Sequence, residues 1–374
     1  MLDRLKLAKI KTMERKIKVL QIVGGFTGGG LEAFVMSHYK YMADRVDCTF
    51  VAYDTSTVVP YNDINRFGGK ILFVPNIKHL HKFNKALNKI LKEGDYDIVH
   101  SHLNTLGVFP LRLAKKNKYK VRISHSHSAS NKKEFKRHIA KTILKKFSKK
   151  YANVYFACSE VAGRFQFGNK AYDEGKVKII HNGVEIDRFI FDSDARKRIR
   201  KALGYDESNY VVGTVGRLVG TKNHKFILDI AKKDKENQYI IVGQGPIEDE
   251  LNSKIKEMNL TNVKVINPSE DIGKYYSAFD SFVMPSLYEG LGLAAVEAQT
   301  NGLYAILSDQ VPDVTLFTKY GEYLPLGEDN IDKWIAAINK KMPRVDNVKK
   351  VIENGYDIKT SADNLYNEYL KLLK

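Results

Sequence analysis

Residues 281–298 read Ser281-Phe-Val-Met-Pro-Ser-Leu-Tyr-Glu-Gly-Leu-Gly-Leu-Ala-Ala-Val-Glu-Ala298. A mostly apolar four-residue run of strand length, Ser281–Met284, is followed by the turn Pro285-Ser286, a glycine-containing loop and a small-residue stretch of helical character. Strand, turn, loop and helix in that order form the repeating unit of a parallel sheet covered by helices. The stretch also carries two carboxylates, Glu289 and Glu297, eight residues apart. A helix beginning near Leu291 would put Glu297 about two turns inside it and Glu289 just ahead of its positive end. A loop carboxylate can hold ligand hydroxyls, a helical one can hold a vicinal diol, and the amides between them can face phosphate. The same residues also read as an acidic first turn and one solvated helix glutamate.

Working outward, short apolar runs alternate with helix-length amphipathic segments along the chain. Residues 18–23, 48–53, 71–74, 97–100, 121–124, 155–158 and 177–180 form one series. Residues 210–215, 239–242, 263–266, 281–284 and 304–307 form a second. Two such series in 374 residues predict two doubly wound α/β domains. The boundary is expected within residues 186–205, a charged stretch without an apolar run that follows the turn signal Asn182-Gly183. In open α/β sheets ligands bind beyond the carboxyl ends of the strands, which places the expected site in a cleft between facing domains.

Other candidate site residues follow strand ends. Gly216-Arg217-Leu218 closes one strand, with Lys222-Asn223 shortly after. Two cations in one loop suit a diphosphate whose charge rises as it leaves, although two ordinary surface cations give the same pattern. Gly243-Gln244-Gly245-Pro246 after the next strand reads as a plain turn opening a helix. The loop Gly24-Gly-Phe-Thr-Gly28-Gly29-Gly30-Leu-Glu32 follows the first strand. Glycines allow close backbone approach and a following helix start favours anions. The loop lacks the dinucleotide-binding register, so a structural turn and a ligand loop are equally good readings. Ser124-His125-Ser126-His127-Ser128 and the upstream His100-Ser101-His102 place four histidines beyond strand ends. Four would suffice for zinc, but neither pair has a nearby carboxylate or thiolate in sequence, so a hydrogen-bonding role is expected and no metal site. Asp95-Tyr-Asp97, before a strand, and Asp192-Ser-Asp194, in the expected linker, both read as structural.

Composition limits the partners. The chain has 61 basic and 43 acidic residues and a net charge of +18, which favours anionic ligands, lipid or nucleic acid without choosing among them. No nucleic-acid motif or interleaved aromatic-and-basic signature accompanies the charge, so nucleic acid is not the expected partner. Cys48 and Cys158 do not make a disulfide framework, which points to a reducing cytosol. The longest apolar runs fall far short of the ~20 residues needed to span a bilayer. Residues 1–18 are basic but lack a signal-peptide core.

Taken together, the motifs resemble glycosyltransferase family 4, from about residue 18 to residue 374. The most specific element is the pair Glu289 and Glu297 with seven residues between them. Gly216-Arg-Leu with Lys222-Asn223, His181-Asn-Gly-Val-Glu-Ile-Asp-Arg-Phe189, Gly243-Gln-Gly-Pro246 and Gly28-Gly-Gly-Leu-Glu32 support it. The resemblance implies a GT-B fold: an acceptor-binding Rossmann-like domain over residues 1–190, a nucleotide-sugar-binding one over 191–355, and a C-terminal helix in 356–374 packing back on the first domain. It implies a retaining, metal-independent hexosyl transfer from a nucleotide sugar, with no further cofactor. Arg217 and Lys222 would clamp the pyrophosphate, Glu297 would hold the ribose and Glu289 the donor sugar. The amides of Gly292 and Leu293 would meet the phosphates or sugar, and Gly28 and Gly29 would let the first loop approach the donor phosphates and the acceptor. His127, or His125 in the alternative register, would bond a donor-sugar hydroxyl. Asn267-Pro268-Ser269 replaces the family's usual glycine-containing turn near the base. UDP is expected only as the family's commonest donor nucleotide. Retention without an evident nucleophile implies front-face substitution in which the leaving phosphate helps deprotonate the acceptor; a glutamate nucleophile is the alternative.

The acceptor is less legible. Residues 132–150 form a basic helical pattern with Phe135, Ile139, Ile143 and Phe147 on one stripe. That stripe reads first as packing on the sheet, while the basic face, with residues 2–15, suits an anionic membrane. The expectation is a cytoplasmic enzyme, peripheral on the inner face of the cytoplasmic membrane, extending a lipid-linked saccharide in capsule or exopolysaccharide synthesis. A soluble acceptor, a binding protein that kept the fold, and a basic nucleic-acid-binding protein are the competing readings.

Overall fold

The computed structural model describes residues 15–127, 144–145, 147, 149–268 and 271–374. The segments 2–15 and 132–150 expected to meet a membrane lie largely outside the described residues, as does Ser269.

The chain divides into two compact units, Met1–Gly183 with Ile358–Lys374, and Val184–Asp357. Among the described residues the first holds seven strands: β1 Ile17–Gly24, β2 Val46–Tyr53, β3 Lys70–Val74, β4 Ile98–Ser101, β5 Val121–Ser126, β6 Val154–Ala157 and β7 Val177–Ile179. Their spatial order is β3-β2-β1-β4-β5-β6-β7, and every pairing is parallel. The second holds β8 Val211–Val215, β9 Gln238–Val242, β10 Val263–Ile266, β11 Ser281–Met284, β12 Tyr304–Ser308 and β13 Gly321–Leu324. Their order is β10-β9-β8-β11-β12-β13, again all parallel. Each is a Rossmann-like doubly wound sheet. The strand order reverses between β1 and β4 in one and between β8 and β11 in the other, and such switch points open ligand crevices at strand carboxyl ends.

Side-chain spacing explains the elements. β1, β2 and β8 bury nearly every residue, as strands covered on both faces must. The helix Leu80–Glu93 buries Phe83, Leu87 and Leu91, four residues apart on one face. The C-terminal helix Ile358–Leu372 buries Ile358, Ala362, Leu365 and Tyr369, three or four residues apart on one face. Its last three join the apolar cluster of β1 and β2 in the first unit.

The structure departs from sequence expectation in four places. Residues 186–205 are not a linker: Ile186–Phe189 and Ser193–Ala202 are helices of the second unit. Several of their charges are paired instead of solvated. Arg200, 1% exposed, donates to the backbone oxygens of Ala278, Asp206 and Asn209 and to Asp280, which also binds Arg196. β5 runs to Ser126, so His125 lies inside a strand and not beyond it. The helix after the second glycine loop starts at Leu293, placing Glu297 little more than one turn inside. Finally, β13 has no β-branched residue and was not readable as a strand. Both Asp-x-Asp pairs are built into structure: Asp97 accepts from Lys18 N and Arg15, and Asp192 caps the helix Ser193–Ala202.

Candidate active site

In the second unit, the polar residues gather at the β8 and β11 carboxyl ends. The loop after β8 is held by close backbone packing. A Cβ on Gly243 would lie 1.9 Å from Gly216 O, and one on Gly245 would lie 2.3 Å from Leu218 O. Those glycines therefore serve loop against loop, and fix the turn that carries Arg217. Leu218 is fully buried while Arg217 is exposed. The Arg217 side chain makes no hydrogen bond or ion pair with another described residue. Lys222 ends a short 3-10 turn, and Asn223 adopts φ +55° to open the helix His224–Lys233.

Glu289 belongs to the loop after β11, sewn to the Lys222 turn by Leu287 N donating to Thr221 O at 2.8 Å. Its side chain is 9% exposed. Lys222 Nζ donates to Glu289 Oε1 at 2.5 Å, and Ser286 Oγ donates to the same oxygen at 2.7 Å. The fully buried Ser286 is anchored by Ser308 Oγ, which donates to its carbonyl at 2.5 Å. Gly292 at φ +82° turns the loop into the helix Leu293–Thr300, and a Cβ there would come within 2.8 Å of Met284. An L side chain is doubly opposed at that position, by backbone and by space.

Glu297 accepts from Tyr276 Oη at 2.5 Å through Oε2. Burial raises its pKa, while the Tyr276 hydrogen bond and the charges of Arg188 and Lys222 pull it back. Arg188, from the first short helix of the unit, forks onto Asp271 at 2.8 and 3.0 Å. Ser286 and Arg188 stand in quoted motifs without a role of their own, and Tyr276 and Asp271 in none. Tyr276 lies 21 residues from Glu297 and Arg188 lies 83 from Asp271, so no spacing in the sequence joins them.

In the first unit the glycine loop is already occupied. The Glu32 carboxylate accepts from Thr27 N at 3.0 Å and from Gly29 N, which caps the helix Gly30–Met42. Gly28 stands at φ +81° with open space where a Cβ would be. The loop thus closes on its own anion, and any phosphate at these amides competes with Glu32.

The histidines of β4 and β5 form one buried stack. His100 Nε2 lies 3.1 Å from His125 Nδ1, and His102 Nδ1 lies 2.8 Å from His127 Nε2. His102 Nε2 lies 2.7 Å from Gln21 Oε1, and His100 Nδ1 lies 2.7 Å from Tyr369 Oη. Burial pushes His127 down to about 3 and His100, His102 and His125 well below the usual range, so all are neutral at pH 7. His38, in the helix Gly30–Met42, falls to about 4 for the same reason. Among the described residues, His100, His102 and His125 bring ring nitrogens within 4.8 Å of one another. A dication there would sit in a buried site without a carboxylate or thiolate and would compete with the hydrogen bonds just described.

Two family models match the chain: Glycosyl transferases group 1 over residues 195–358 and Glycosyltransferase Family 4 over residues 28–188. The chain is 30% identical over 373 residues to the putative glycosyltransferase EpsF of Bacillus subtilis, covering 94% of this chain and 96% of that one. It is 24% identical to the UDP-Gal:alpha-D-GlcNAc-diphosphoundecaprenol alpha-1,3-galactosyltransferase of Escherichia coli, covering 97% and 99%. Its fold matches Anabaena HepE, solved in complex with UDP and glucose, with a TM-score of 0.77 at 17% identity over 95% of this chain and 100% of that one.

Proposed function

The chain belongs to the family 4 (group 1) glycosyltransferases of GT-B fold, and on that premise we propose that it transfers a hexose from a UDP-sugar to a lipid-linked saccharide, with retention and without a metal. The observation that carries the reading is the arrangement at the β8–β11 switch point. A half-buried Lys222 is paired with Glu289, and an unpaired Arg217 stands on a rigid loop beside it in sequence.

Arg217 and Lys222 bind the donor pyrophosphate and stabilise the charge that grows on it as the glycosidic bond breaks. Lys222 exchanges one anionic partner for another in doing so. The Glu289 carboxylate, still held by Ser286, then accepts from donor-sugar hydroxyls. Glu297 accepts from the ribose diol, and the amides of Gly292 and Leu293 meet the phosphates or sugar. His127 takes a sugar hydroxyl. Neither carboxylate is assigned as a nucleophile: attack occurs on the face the diphosphate leaves, and a phosphate oxygen takes the acceptor proton.

The E. coli relative, a galactosyltransferase that takes UDP-Gal and GlcNAc-diphosphoundecaprenol, supports a UDP-sugar donor and an acceptor carried on diphosphoundecaprenol. HepE, solved with UDP and glucose, supports the donor class. The acceptor reading extends to capsule or exopolysaccharide synthesis at the inner face of the cytoplasmic membrane. The test is transfer from UDP-glucose and UDP-galactose, with chelator present, to a GlcNAc-diphosphoundecaprenol acceptor, with the product anomer read by NMR. An α-linked product supports the reading. Transfer only to soluble acceptors, an inverted product, or loss of activity on chelation overturns the corresponding part.

A further inference from the structure

The histidine stack has a direction, and the direction is set by one amide. A glutamine carbonyl only accepts hydrogen bonds and its NH2 only donates. Gln21, fully enclosed in β1, faces His102 Nε2 with its carbonyl at 2.7 Å, so that nitrogen carries the hydrogen. The bare Nδ1 of His102 then accepts from His127 Nε2 at 2.8 Å. His127 is left with a lone pair on Nδ1, which is buried and has no partner among the described residues.

The second row starts from the other end of the same amide. Gln21 Nε2 donates to Tyr369 Oη at 3.3 Å, and the Tyr369 hydroxyl hydrogen goes to His100 Nδ1 at 2.7 Å. His100 Nε2–H donates to His125 Nδ1 at 3.1 Å. His125 is left with a hydrogen on Nε2, also buried and without a partner among the described residues. The His100 and His125 rings are nearly parallel, 5° apart, and the His125 and His127 rings stack with centroids at 4.1 Å. Two parallel rows therefore begin at Gln21 and end on adjacent rings, one in an unused donor and the other in an unused acceptor. A hydroxyl group, which donates once and accepts, matches that pair; a carboxylate or an ammonium group satisfies only half of it.

We propose that Gln21 and Tyr369 are positioning residues that fix the histidine tautomers, so that His125 Nε2–H and His127 Nδ1 together read one hydroxyl of the sugar ligand. The hydroxyl's origin in the donor sugar rests on the function proposed above. The tautomer assignment does not. It gives the C-terminal helix, through Tyr369, a part in substrate reading 269 residues away from His100 in sequence.

The experiment is 15N NMR of ligand-free protein labelled at the histidine rings, at neutral pH. The expected spectrum shows His100, His102, His125 and His127 each with hydrogen on Nε2, and His38, whose Nδ1 faces Phe34 O at 2.8 Å, with hydrogen on Nδ1. Tyr369→Phe should release the His100–His125 row into a tautomer mixture and leave the other row unchanged. Gln21→Met should release the His102–His127 row. Tyr369→Phe removes only a hydroxyl and keeps the test available if Gln21→Met does not fold. Hydrogen on Nδ1 of His125 or His127 in the wild type, or tautomers indifferent to both substitutions, overturns the positioning role. In parallel, UDP-glucose should bind at least about tenfold tighter than one of its singly deoxygenated analogues, as expected for losing the hydrogen bonds to one hydroxyl, and that preference should shrink below about threefold in Tyr369→Phe. A flat series with the expected tautomers overturns the hydroxyl reading, whereas no binding of UDP-glucose at all would count against the donor assignment and leave the tautomer result standing.

Discussion

Lys222 and Glu289 share a 2.5 Å hydrogen bond between two loops at the carboxyl ends of β8 and β11, and Ser286 holds the same carboxylate oxygen. The cation that the proposal places on the donor diphosphate is thus kept at the site by an internal anion. With the Glu289 side chain 9% exposed, the pair is shielded enough for truncation of one partner to be felt. Lys222→Ala should lower kcat/KM for the nucleotide sugar by about 10²-fold or more, as for loss of one preorganised charge at a leaving group. Glu289→Gln, which keeps the hydrogen bond from Ser286, should cost less. Steady-state kinetics with circular dichroism of both variants checks this, and equal activity with an intact fold would contradict it.

Glu297 sits where burial raises its pKa and Tyr276 opposes the rise. Only the ionised carboxylate accepts from both ribose hydroxyls, so UDP affinity should fall on the acid side as Glu297 takes up a proton. Tyr276→Phe removes a hydrogen bond to the ionised form and moves that pKa further up. The acid limb of UDP affinity should therefore shift to higher pH in the variant. Calorimetric titration of UDP across pH decides it; an unshifted limb would sever Tyr276 from the nucleotide site.

The buried histidines make the first unit sensitive to acid. Their folded pKa values lie below the unfolded value near 6.5, so between the two the unfolded chain binds more protons. Stability is fully present above about pH 6.5 and is lost as pH falls toward 4. For His38 alone, held at about 4, the linkage amounts to roughly 3 kcal/mol at full development. Denaturant midpoints measured from pH 7.5 to 4.5 should fall, and His38→Gln should flatten the slope. A pH-independent midpoint would contradict the buried neutral state.

Much of the fold was legible because each central strand is covered on both faces and is largely apolar, as in Val211–Val215 and Ser281–Met284. The Glu289/Glu297 element was legible because glycine, carboxylate and helix start occur in one continuous stretch. What escaped was whatever depends on partners distant in sequence. Gln21 in β1 reads as one polar residue in an apolar strand, and its role appears only when Tyr369, 348 residues on, is beside it. Arg200 reads as a linker cation until Asp280 is found against it. Glu32 reads as an ordinary first-turn acid, although its carboxylate fills the amides assigned to a ligand.

The glycines after β9 offer a structural test of the loop that bears Arg217. A methyl group on Gly243 or Gly245 would overlap the carbonyl of Gly216 or Leu218. Gly245→Ala should destabilise the protein by about 1–3 kcal/mol, the range for forced backbone shifts. It should also weaken UDP binding beyond the effect of an equally destabilising core substitution such as Ile338→Val. Matched losses in the two variants would detach the glycine from the site.

The central claim is that the second unit binds a nucleotide sugar through Arg217 and Glu297. The most direct measurement is the thermal stabilisation of wild type, Arg217→Ala and Glu297→Ala by a panel of nucleoside diphosphates and nucleotide sugars, without added metal. A ligand at about 100 times its dissociation constant should stabilise the folded state by about 2.7 kcal/mol. The account predicts a shift with uridine nucleotides in the wild type that both substitutions abolish. No shift with any nucleotide, or a shift that survives both substitutions, would contradict it.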